Sequence, residues 1–77
     1  GTRFMHVHAN RPGIMRQIHE LFAAENCNVT AQYLQTDGAV GYVVVEAEST
    51  GPDMDQHLLD GLRALDGTLR ARLIYQR

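Results

Sequence analysis

The spacing of the apolar residues changes across one short stretch, His8-Ala9-Asn10-Arg11-Pro12-Gly13, and that change fixes the first layer of the fold. Before it, Phe4-Met5-His6-Val7 alternates as a half-buried strand does. After it, Ile14, Met15, Ile18, Leu21 and Phe22 fall on one face of a helix running from Pro12 to about Glu25. The stretch is therefore a strand-to-helix junction that carries side-chain donors and acceptors. Pro12 suits a first helical turn, where its missing N–H is no loss. Gly13 leaves that turn uncovered, so a small molecule can come close. The next free N–H groups then belong to Gly13, Ile14 and Met15, and such a site attracts a carboxylate or phosphate. His8 and Asn10 stand where they can read the rest of a ligand. A purely structural role competes for Asn10, that of helix cap, and the residues alone leave both open.

Residues 3–9 form the first strand, and Asn26 can end the first helix in a left-handed conformation. Val29 to Thr36 reads as a second strand, Thr36-Asp37-Gly38 as a turn, and Val40 to Glu48 as a third strand. Tyr42-Val43-Val44-Val45 is apolar on both faces and suits the interior of a sheet. Pro52 can open a second helix, with Met54, Leu58, Leu62 and Leu65 in its stripe and Leu59 widening it. Asp66-Gly67 ends that helix, and Leu69 to Ile74 alternates as a last strand. The order β-α-β-β-α-β, with two right-handed crossovers and one hairpin, predicts a ferredoxin-like α+β domain. Its four-stranded antiparallel sheet carries both helices on one face.

Seventy-seven residues make one domain, 1–77, near the lower limit for an unstapled core. The chain begins with Gly, which reads as an excised piece of a longer protein. Nine acidic residues face seven basic ones, all Arg, and a net charge of −2 gives no reason to expect nucleic acid or an anionic membrane surface. Cys27 is the single cysteine, so there is no disulfide framework, and the usage fits a cytoplasmic location. No apolar run approaches the ~20 residues that span a bilayer.

His6 and His8 share one strand face, but no third ligand has metal-site spacing, and no metal is expected. His6 reads as a partly buried sheet residue. Cys27 has no base near it in sequence and reads as a small buried apolar residue. Asn28, at a strand entry, reads on its own as a turn residue. Gly38-Ala39-Val40-Gly41-Tyr42-Val43-Val44-Val45 faintly echoes an RNA-binding strand. It lacks the basic residue, and only Tyr42 could stack a base.

Taken together, four stretches resemble the C-terminal ACT domains of the D-3-phosphoglycerate dehydrogenase family. They are His8-Ala9-Asn10-Arg11-Pro12-Gly13, Asn28-Val29-Thr30-Ala31-Gln32-Tyr33-Leu34-Gln35-Thr36, Gly41-Tyr42-Val43-Val44 and Gly67-Thr68-Leu69-Arg70-Ala71-Arg72. The resemblance runs from about Arg3 to Tyr75. It departs from the family pattern at Ala9, where an acid is frequent, at Cys27, where an aliphatic residue is usual, and at Gly51-Pro52-Asp53.

The resemblance implies a regulatory domain that binds L-serine and inhibits serine biosynthesis by feedback. His8 and Asn10 match the family's serine ligands. Asn28 matches a second asparagine supplied by a neighbouring subunit, and Gly13 and Ile14 line the turn. It also implies a homo-oligomer in which two sheets join side by side. NAD is the cofactor of such a parent dehydrogenase. This domain has no dinucleotide-binding motif, and it is expected to hold no cofactor and to be inert as an enzyme. An ACT domain for another amino acid, and a dimerisation module without a ligand, stand as alternatives.

Overall fold

Strand β1, Thr2–Ala9, occupies the middle of the molecule, and its alternation sets the two faces of the sheet. Phe4, His6 and His8 are buried on one face, while Met5 and Val7 lie half-buried on the other. In this computed structural model, which describes residues 1–75, β1 is followed by α1 (Ile14–Ala24), β2 (Val29–Asp37) and β3 (Val40–Ala47). Helix α2 (Pro52–Ala64) and strand β4 (Thr68–Tyr75) complete the chain. The sheet order is β2-β3-β1-β4, all antiparallel, so β2 and β4 are the edges. This is the expected ferredoxin-like architecture.

One apolar layer joins the sheet to the helices. Ile14, Ile18 and Phe22 of α1 and Leu58, Leu59 and Leu62 of α2 are buried against Phe4, Val43, Val45 and Ala71. Phe4 and Phe22 meet edge to face, with centroids 5.5 Å apart, a favoured aromatic arrangement. Met15, Leu21, Met54 and Leu65 pack half-buried around them. Both helical stripes thus face the sheet as their spacing requires. Pro52 begins α2, and Asp53 and Asp55 sit in its first turn, where negative charge opposes the helix dipole favourably. Asn26 takes φ 55 and closes α1.

The start of α1 differs from the sequence expectation. The helix begins at Ile14, not Pro12, because Gly13 adopts φ 93, which no helical residue can hold. Pro12 and Gly13 form a turn ahead of it. The other element ends shift by one or two residues, as frayed termini do.

Edge strand β2 is covered only in part. From Gln32 to Asp37 every residue is exposed, including Tyr33 and Leu34. Its outer edge presents backbone groups with no neighbouring strand among the described residues.

Candidate functional site

The turn between β1 and α1 is held from two sides. The Ala9 N–H donates to Gly67 O at 2.9 Å, and the Asn10 N–H donates to Ala39 O at 2.8 Å. The Asn10 side chain adds a third tie, since Nδ2 donates to Gly38 O at 3.0 Å. Asn10 therefore does not cap α1, which has no side-chain cap at all. A carbonyl only accepts, so this bond also fixes which end of the amide is which. It leaves Oδ1 and one Nδ2 hydrogen for other work. Arg11 leans the other way and pairs with Asp66 at 2.9 Å, an exposed ion pair of small energetic weight.

Helix α1 starts with uncompensated positive character. Its first internal bond runs from Gln17 N–H to Gly13 O, 3.1 Å. The N–H groups of Ile14, Met15 and Arg16 consequently have no acceptor within the helix. This corrects the expected set by one residue, because Gly13 lies outside the helix. No acidic residue sits in the first turn. Gly13 itself has open space beside it, with nothing within 4 Å of where a Cβ would be. Such a helix start suits a carboxylate.

Against this turn opens a cleft of about 420 Å³, lined in part by His8, Asn10, Gly13, Ile14, Leu34 and Thr36. That volume falls within the ordinary range for small-molecule sites. Four of the five residues singled out from the sequence meet here. Asn28 does not: it lies at the far end of β2, where Nδ2 donates to Glu48 Oε1 at 3.1 Å. Thr36 and Asn28 are eight residues apart along an extended strand, or about 27 Å. One chain cannot bring both to one amino acid.

Behind the cleft runs a polar chain from the buried His8 and His6 to the half-buried Thr68. His6 is fully buried rather than partly, and His8 is 3% exposed. Their Nδ1 atoms stand 3.1 Å apart. His6 Nε2 is 2.7 Å from Thr68 Oγ1, and the Thr68 hydroxyl donates to Leu62 O at 2.8 Å. A bulge in β4 skips Leu69, which sets Thr68 opposite His8. Burial pushes the His6 pKa down to about 4, helped by the neighbouring His8 and opposed by the Leu62 carbonyl. Burial lowers that of His8 too. Both rings are thus neutral at pH 7. The His8 ring lies directly over Gly41, and a Cβ there would collide with Nε2.

Sequence reasoning missed Thr68 and Gly41 as parts of this site. Both lie within stretches that carry the family resemblance, but only the strand register places them beside His8. Cys27 is buried and its Sγ donates to Glu48 O. Burial raises its pKa, with Asp55 and Glu48 adding to the effect. Such a thiol is a poor nucleophile. Among the described residues, no group of three His, Cys, Asp or Glu is placed to hold a metal ion, and no helix is long and apolar enough to cross a membrane.

A βαββαβ chain with both helices on one face defines the ferredoxin-like class of α+β domains. Within it, the chain belongs to the ACT-domain family: residues 4–70 match the AHAS small subunit-like ACT domain. It is 44% identical over 75 residues to D-3-phosphoglycerate dehydrogenase of Escherichia coli (strain K12), covering 97% of this chain and 18% of that one. It is 47% identical over 73 residues to the Haemophilus influenzae enzyme, covering 95% and 17%. The chain thus spans under a fifth of these relatives' length. In three dimensions it resembles the ACT domain from GTP pyrophosphokinase of Chlorobium tepidum, with TM-score 0.83 and 16% identity over 95% of both chains. It also resembles the acetolactate synthase small subunit from Thermotoga maritima, with TM-score 0.73 and 17% identity over 94% of this chain and 45% of that one. At those identities the likeness speaks for the fold alone.

Proposed function

We propose that this ACT domain senses L-serine between two copies of itself. In this reading it transmits feedback inhibition to an NAD-dependent D-3-phosphoglycerate dehydrogenase in the cytoplasm. The observation that carries the reading is the cleft at the β1–α1 turn. There a helix start without acidic residues, the free Oδ1 of Asn10 and the His8 ring converge on one small space. The identity to dehydrogenases of that name supports the choice of enzyme and effector.

The three groups of serine find matching partners. The carboxylate sits at the N–H groups of Ile14, Met15 and Arg16, beside the open space at Gly13. The ammonium group is held by Asn10 Oδ1, and the hydroxyl faces His8. The second asparagine comes from the neighbour. Antiparallel pairing of two β2 edges about a two-fold axis sets the Asn28 end of one strand against the Thr36 end of the other. Thr36 and Leu34 line the cleft, so Asn28 of the partner subunit approaches the ligand. A ligand that touches both copies binds the paired state more tightly and shifts the equilibrium toward it. A coupling of roughly 1–3 kcal/mol serves ordinary feedback.

Serine titration calorimetry on Asn10→Ala, Asn28→Ala and the double variant tests this, with sedimentation of the same samples. Each single change is expected to weaken binding about tenfold or more, as unmatched polar groups cost about 1–3 kcal/mol. The double variant should lose less than the sum. Wild-type affinity in both single variants, or a clean monomer that binds serine tightly, refutes the shared site. A different effector is the second reading, favoured by the family match to AHAS small subunits. A panel of serine, glycine, threonine and phenylalanine separates the two.

A further inference from the structure

The polar chain behind the cleft has a direction, and the direction can be read from its far end. Leu62 O can only accept, and it takes the Thr68 hydroxyl hydrogen at 2.8 Å. That hydroxyl has then spent its hydrogen, so towards His6 it can only accept. His6 Nε2, 2.7 Å away, must carry a hydrogen and donate it. A neutral His6 with its hydrogen on Nε2 has a bare lone pair on Nδ1. His8 Nδ1, 3.1 Å from that lone pair, must therefore be the donor. A neutral His8 with its hydrogen on Nδ1 is left with a bare Nε2. Among the described residues, none hydrogen-bonds to that atom.

We infer that Thr68 and His6 are positioning residues that lock His8 in its Nδ1–H tautomer, so that Nε2 meets the ligand only as an acceptor. Their role is thus to make the cleft prefer an amino acid that brings a hydrogen-bond donor, such as a hydroxyl, to this point. This rests on reading the cleft as an amino-acid site, but the tautomer does not depend on any ligand. Three features make the lock firm. Both rings are buried, which disfavours the charged form that would have a hydrogen on every nitrogen. The rings stand side by side, with centroids 5.2 Å apart and planes inclined by 32°. Gly41 leaves room for the His8 ring to lie against β3. Threonine at 68 is then required for its hydroxyl, since valine keeps the shape and removes the acceptor. Serine at that position keeps the acceptor.

The first measurement is a long-range proton–nitrogen correlation spectrum of the imidazoles at neutral pH, on the free domain. A bare ring nitrogen resonates well downfield of one carrying hydrogen. The spectrum should show His6 with Nδ1 bare and His8 with Nε2 bare. In Thr68→Val the two patterns are expected to become mixed or exchange, and in Thr68→Ser to remain. The second measurement is the ratio of L-serine to L-alanine affinity. Thr68→Val should lower it at least fivefold, Thr68→Ser by less than twofold, and His6→Phe should lower it as Thr68→Val does. Thermal melts on each protein confirm folding. A His8 with hydrogen on Nε2 in the wild-type spectrum overturns the inference. So does a Thr68→Val variant that is less stable but keeps both the wild-type spectrum and the wild-type ratio. If serine does not bind the wild type at all, the effector reading falls. The relay is then decided by the spectra of the wild type, Thr68→Val and Thr68→Ser.

Discussion

Replacing Gly41 by alanine would test the packing behind the cleft with a single methyl group. That methyl would fall 3.0 Å from His8 Cδ2 and 3.1 Å from Cε1, with Nε2 closer still. Either the strand or the ring must move. Strand β3 is poorly placed to yield, because position 41 pairs with His8 on one side and with Thr36 on the other. The ring is softer, yet it is buried and tied through Nδ1 to His6. Overfilling a packed site costs about 1–3 kcal/mol, and breaking the His6–His8 bond adds about 1 kcal/mol. Alanine is better than glycine within a strand by roughly 0.5–1 kcal/mol, which offsets part of this. The net loss is about 2 kcal/mol, or a fall in Tm of about 10 °C for a domain of this size. Serine affinity should fall about tenfold or more, because Nε2 leaves its place; each tenfold corresponds to about 1.4 kcal/mol. Thermal unfolding followed by circular dichroism and calorimetry on the same sample reads both effects. Combining the change with His8→Ala removes the obstructing ring and should restore part of the stability, as expected for two groups in contact. A Tm within about 2 °C of wild type together with unchanged serine affinity would refute the reasoning.

Two further outcomes are expected. His6 is held neutral in the folded state with a pKa near 4, against an ordinary value of 6.5. Its contribution to stability is therefore complete above pH 6.5 and shrinks as the pH falls towards 4, by about 2 kcal/mol at pH 5. Unfolding free energies from urea titrations at pH 7.5 and 5.0 should differ by that amount more in the wild type than in His6→Asn, and equal differences would contradict it. At Gly13, φ 93 should set the ranking of substitutions even though the space beside it is open. Asparagine should be tolerated better than alanine, which loses about 1–2 kcal/mol, and valine should be worse than either. Melting temperatures check the order, and an alanine variant as stable as the glycine protein would overturn it.

The fold was legible because its signals are local. Ile14, Ile18 and Phe22, like Leu58 and Leu62, repeat at helical spacing whatever they pack against. Asn26 and the Asp37-Gly38 turn punctuate the chain by their own backbone preferences. The start of α1 was less legible, since Pro12 fits a first helical turn just as well as the turn it forms. Only the positive φ of Gly13 decides between them. The role of Asn10 was open for a similar reason. Its side chain reaches Gly38, twenty-eight positions along the chain, and no spacing rule connects the two. Thr68 and Gly41 lie further from sequence reasoning still. Each matters through the antiparallel register that lays it against His8, and register is a property of pairing rather than of either strand.

The ties between Asn10 and the tip of the β2–β3 hairpin bear on where this chain can accept inserted residues. Hairpin tips are ordinarily the most permissive places in a small domain for insertions, tags or changes of length. This tip contributes Gly38 O and Ala39 O to hold the β1–α1 turn in place. An extra residue there would withdraw both carbonyls from Asn10 and loosen the turn that shapes the cleft. The Ser49–Gly51 connection makes no bond to the β1–α1 turn: the Ser49 hydroxyl donates to Gly51 O, the Gly51 N–H meets Ser49 Oγ, and Gly51 O also takes the Asp55 N–H at the start of α2. Of these two loops, the hairpin is thus the one whose length is bound to the shape of the cleft, and the approach to α2 is the place to graft.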